Sequence, residues 1–90
     1  MEVRKLKEFK YVVKDKDGIH ARPAGLFIKK ATDFPCTVTI SKGGKEVDGK
    51  RILGVMGLGV KCGEEITVKT EGEREVEAIK ALKKFLEENL

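Results

Sequence analysis

The chain has no tryptophan, a single histidine, two cysteines and two prolines among its 90 residues. No apolar run approaches the roughly 18 residues that a membrane-spanning helix needs. The opening MEVRKLKEFK has no apolar stretch of the kind a secretory signal carries. These absences point to the cytoplasm, without stable membrane insertion. Cys36 and Cys62 lie 26 positions apart, outside any CxxC spacing, and there is no second imidazole to complete a zinc site. Both thiols are therefore expected to be reduced, with Cys36 filling core space. No metal or cofactor is expected. A GxxxxGK[ST] loop is also missing, which removes the common nucleotide-binding signature.

What remains suits one domain over residues 1–90. A hydrophobic fraction of 40% builds one modest core but no deep, walled active site, so any chemistry should lie near the surface. Charged residues make up 38% of the chain and the net charge is +4. Such a balance draws the protein toward acidic partners, yet the mixture of signs is no polycation.

Periodicity supplies the elements. Residues 6–13 put Phe9, Tyr11 and Val13 on one strand face, and 36–41 do the same with Cys36, Val38 and Ile40. Gly43 and Gly44 then turn the chain into a short strand, 45–48. A last strand, 65–70, carries Ile66 and Val68 inward. From Ala21 to Asp33, the residues Ala24, Phe27, Ile28 and Ala31 recur at helical spacing, and Pro35 blocks continuation. From Glu73 to Asn89 the stripe is Val76, Ile79, Leu82 and Leu86. The apolar but glycine-broken stretch 52–58 reads as one or two turns of weak helix. Helices gathered on one face of an antiparallel sheet make a two-layer α+β sandwich.

The lone histidine sits in GIHARPAGL, residues 18–26, where the first helix begins. A helix start leaves amide N–H groups unpaired and carries partial positive charge, and Pro23 loses no hydrogen bond in a first turn. The amides of Ala21 and Arg22 thus favour an anion held near His20, above all a phosphoryl group, to which Arg22 adds charge-assisted hydrogen bonds. Imidazole is a competent nucleophile near neutral pH. Phosphoryl transfer depends mainly on positioning and charge, so these parts suffice for a carrier site. Helical geometry also leaves Arg22, Leu26, Lys29 and Lys30 opposite the buried stripe. Leu26, an apolar residue ringed by cations, reads as the anchor of a surface for an acidic partner.

GIHARPAGLF at 18–27, together with RILGVMGLGVKCGEEI at 51–66, resembles the histidine-containing phosphocarrier HPr family of the bacterial phosphoenolpyruvate:sugar phosphotransferase system. The resemblance covers most of the chain. It implies an open-faced β-sandwich, with three helices on one side of a four-stranded antiparallel sheet. It implies that His20 is phosphorylated on Nδ1 with help from Arg22, that enzyme I is the donor, and that sugar-specific IIA (EIIA) domains are the acceptors. Ala21, Leu26, Lys29, Arg51, Ile52, Leu53 and Met56, with Arg22, would form the docking surface of a monomeric carrier that is not an independent catalyst. Arg51 stands where many members carry a regulatory serine, and Gly57 where a second serine often stands, which argues against serine-kinase control. A regulatory phosphorelay, such as a nitrogen-related branch, would use the same histidine. The GxxG at Gly54–Gly57 raises an RNA-binding alternative, but its central Val55 and Met56 suit phosphate clamping poorly, and no nucleic-acid partner is expected.

Overall fold

The structure, a computed structural model, describes residues 7–90. Leu6, predicted as the first residue of the first strand, lies outside them. Along the described chain run β1 (Lys7–Val12), α1 (Ala21–Thr32), β2 (Thr37–Lys42), β3 (Lys45–Asp48), α2 (Ile52–Gly57), β4 (Glu65–Glu71) and α3 (Glu75–Asn89). The strands form one antiparallel sheet in the order β1-β4-β2-β3. The α+β sandwich with its three helices is thus the fold expected, and the element bounds shift by a residue or two.

Period-two alternation in the strands makes one sheet face apolar. Ile66, Val68 and Thr70 of β4 and Val38 and Ile40 of β2 are buried there, while Thr37, Thr39, Ser41 and Lys69 point the other way. Against that layer α1 buries Pro23, Ala24, Phe27 and Ala31, α2 buries Val55, and α3 buries Ala78, Leu82, Phe85 and Leu86. Phe27 and Phe85 meet edge to face at 6.0 Å between ring centres, which links α1 to α3. Each such buried large side chain contributes roughly 1.5–3 kcal/mol. Cys36 is buried in the same layer and both thiols are free.

Two expectations about α3 need correction. Val76 is exposed, and the stripe instead uses Ala78 and Phe85 alongside Leu82, Leu86 and the partly buried Ile79. At about 100° per residue, Val76 lies roughly 120° around the helix from Leu82, beyond the stripe. The helix also starts at Glu75 rather than Glu73, because Gly72 and Arg74 adopt positive φ, +121° and +63°. The Glu75 carboxylate accepts from the Gly72 N–H at 2.8 Å, closing this entry turn. Arg74 holds its left-handed backbone with its guanidinium 5.2 Å from the Phe34 ring centre and doubly bonded to Glu77.

Candidate functional site

The loop from β1 to α1 is clamped from two sides. The Val13 N–H donates to the Glu64 carbonyl at 3.0 Å, and the Val13 carbonyl accepts from the Gly63 N–H at 2.7 Å. Further along, the Leu90 carbonyl accepts from both Lys14 and Asp15, at 2.6 and 2.8 Å, and the Ile19 N–H donates to the Val60 carbonyl at 3.0 Å. Gly18, at φ +68°, closes a tight turn by donating to the Asp15 carbonyl at 2.8 Å. A Cβ at this position would stand 2.2 Å from the Val60 carbonyl oxygen, so only glycine fits.

This rigid turn delivers His20 to the N-cap of α1 in extended backbone, φ −108° and ψ −178°. Its imidazole does not cap the helix. Among the described residues, the Ala21 and Arg22 amides have no hydrogen-bond acceptor. The ring is half-open to solvent at 44% exposure, with Nε2 3.9 Å from Asp15 Oδ2. Arg22 is exposed and without an ion pair among the described residues. A half-open imidazole, two amides without acceptors and an exposed cation thus fall on three consecutive residues, an arrangement chemically able to take an anion such as a phosphoryl group.

Asp15, Asp17 and His20 bring potential ligand atoms within 4.8 Å of one another, a grouping that sequence spacing alone did not reveal. Three donors, two carboxylates and one imidazole, fall short of the four that a closed structural zinc site uses.

Of the residues predicted to dock a partner, Leu26 is 46% exposed, Ile52 40%, Leu53 85% and Met56 38%. Arg22, Ala21 and Lys29 share the exposed side of α1, and Arg51 stands at the N-cap position of α2, its largely exposed side chain 4.0 Å from Asp48. The packing of α1 against α2 brings these two segments together, with Gly25 facing Ile52. Beside them opens an apolar groove of about 650 Å³ lined by Ile28, Val47, Arg51, Ile52, Leu53 and Gly54. Its Val47 wall was not foreseen, because it depends on how β3 lies against α2 and leaves no local signal. Gly54 and Gly57 lie within α2 rather than in a loop able to clamp phosphates. No helix among the described residues is long and apolar enough to cross a membrane.

The chain is similar to known proteins over most of its length. The family model described as "PTS HPr component phosphorylation site" matches residues 7–88. The HPr-like protein Crh of Halalkalibacterium halodurans is 47% identical over 75 residues, which are 83% of this chain and 89% of that protein. Phosphocarrier protein HPr of Mycoplasma genitalium is 39% identical over 85 residues, 93% of this chain and 97% of that one. HPr-C-His from Thermoanaerobacter tengcongensis superposes with a TM-score of 0.86 at 43% identity, covering 90% of this chain and 91% of its own. Crh of Bacillus subtilis, solved as a dimer with a swapped domain, gives a TM-score of 0.75 at 38% identity over 100% and 98% of the two chains. By family match, identity and fold together, the chain belongs to the HPr family, the phosphocarrier proteins of the phosphotransferase system, which carry phosphoryl groups rather than act as catalysts in their own right.

Proposed function

We propose that His20 accepts a phosphoryl group on Nδ1 from phosphorylated enzyme I and passes it to sugar-specific IIA domains. The observation that carries this reading is the half-open imidazole at the start of α1, beside the two unpaired amides of Ala21 and Arg22. The Nδ1 lone pair attacks phosphorus while the bond from phosphorus to the donor breaks. As charge spreads over the transferring oxygens, the amides and the Arg22 guanidinium stabilise it. Transfer onward is the same step in reverse, with the acceptor as nucleophile. The chain supplies a nucleophile and a cradle and needs no metal or cofactor of its own.

Leu26, Ile52, Leu53 and Met56 supply the apolar centre of the docking surface, and Arg22, Lys29 and Arg51 its basic rim. Such a surface suits an acidic partner with an apolar spot at its middle. In this reading the working form is a monomer in the cytoplasm, and the swapped dimer of Crh is an alternative packing of the same fold.

Intact mass after incubation with enzyme I and phosphoenolpyruvate tests the reading. One acid-labile phosphoryl group is expected on the wild type and none on His20→Ala. An unmodified wild type beside an active cognate enzyme I would overturn it. Arg51 leads to a second expectation. The only serine of the chain, Ser41, lies within β2 and is paired to β3 and β4, so an HPr kinase with ATP should leave the protein unmodified. A stable phosphoserine in that assay would refute the view that Arg51 has removed this control.

A further inference from the structure

We infer that Asp15 is a positioning residue for His20, holding the imidazole from its Nε2 side so that the Nδ1 lone pair faces the phosphoryl donor. The inference rests on His20 as the acceptor and adds what sets the ring. Asp15 is fixed at three points: its N–H donates to the Leu90 carbonyl, its carbonyl accepts from Gly18, and its Oδ1 accepts from the Asp17 N–H, each at 2.8 Å. With Oδ1 used inside the turn, Oδ2 is left facing His20 Nε2 at 3.9 Å. The imidazole makes no other ion pair among the described residues, although the Asp17 carboxylate lies in the same cluster.

A carboxylate can only accept, so it favours the tautomer with the proton on Nε2 and the free lone pair on Nδ1. At 3.9 Å the pair is too long for a hydrogen bond, and a rotation of the ring toward Oδ2 is required to make one. When the N–P bond forms, the Nε2 proton stays and the ring becomes more positive, as the donor's bond to phosphorus breaks. Asp15 thus interacts more strongly with the phosphorylated ring than with the free one, which is the requirement for helping the transfer.

Two measurements test this separately from the reading it builds on. In unphosphorylated wild-type protein, ¹⁵N NMR of the neutral imidazole should show the Nε2–H tautomer in clear excess over its share in a free histidine side chain, where it already predominates. A share no higher than the free side chain's would overturn the inference, whether or not His20 is the acceptor. Asp15→Asn keeps an oxygen for the Asp17 amide, so its melting temperature should match the wild type, while its ring shifts toward a mixture of tautomers. Its kcat for phosphorylation by enzyme I should fall on the order of 10-fold with KM little changed, the scale on which partners of functional histidines act. Wild-type tautomer and kcat in Asp15→Asn would leave Asp15 a turn residue only. If the wild type takes no phosphoryl group at His20, the proposed function fails, and the tautomer still decides what Asp15 does.

Discussion

The smallest residue near the site carries one of the strictest demands. Gly18 has a left-handed backbone and lies against the Val60 carbonyl. Placing alanine there costs about 1–2 kcal/mol for the backbone alone, before the clash is relieved. Urea unfolding of Gly18→Ala should therefore show a loss larger than that figure, and a midpoint equal to the wild type would contradict the turn geometry. His20, Arg22 and Pro23 are legible in the sequence because the start of a helix is a local event, written in adjacent residues. Asp15 is not legible, since its meaning arises only when the turn folds its carboxylate back toward the ring. Val76 misleads for a related reason: it fits a helical spacing, but the sheet selects which of two neighbouring stripes is buried.

Among the elements, the two helices of the proposed docking face were readable from their apolar spacing, whereas the entry into α3 was not. Gly72 signals a turn, but nothing in the type of residue at Arg74 announces a positive φ; Phe34 and Glu77, both distant or downstream, hold it there. The connection from α2 to β4 has a similar hidden organiser. Glu64 accepts from Lys42 Nζ at 2.9 Å and from the Lys61 N–H at 2.7 Å, and its own carbonyl holds Val13. The bond from Lys42, then that from Lys61, holds the Glu64 carboxyl below the usual value of 4.5. A depressed carboxyl stabilises the fold at pH above its unfolded value, and that contribution is lost as pH falls through the folded value. The melting-temperature gap between wild type and Glu64→Gln should then be full at pH 7 and narrow below about 4.5. A gap that stays constant down to pH 3 would remove Glu64 from this role.

For the whole molecule, composition and element order pointed to the two-layer sandwich, but the strand order β1-β4-β2-β3 rests on pairings between distant parts of the chain. The net charge of +4 and the exposed Arg22, Lys29 and Arg51 act together at long range. If the proposed partner meets them with an acidic face, phosphorylation by enzyme I should slow as ionic strength rises from about 0.05 to 0.5 M, because that encounter is screened. Leu53, 85% exposed, can be cut to alanine without touching the core. Leu53→Ala should raise KM for enzyme I roughly 10-fold at any salt, as expected for one of the apolar residues at the centre of an interface. An unchanged KM would move the docking centre elsewhere.

The Leu90 carbonyl, which grips Lys14 and Asp15, has one further consequence. The loop beneath the histidine is held by stretches some seventy residues apart in sequence, and the end of α3 adds its grip to those of Val60, Gly63 and Glu64. A chain cut short of α3 keeps those three holds and loses both bonds to the Leu90 carbonyl. Protection of the Lys14 and Asp15 amides from hydrogen exchange is in this way a report on whether α3 is docked.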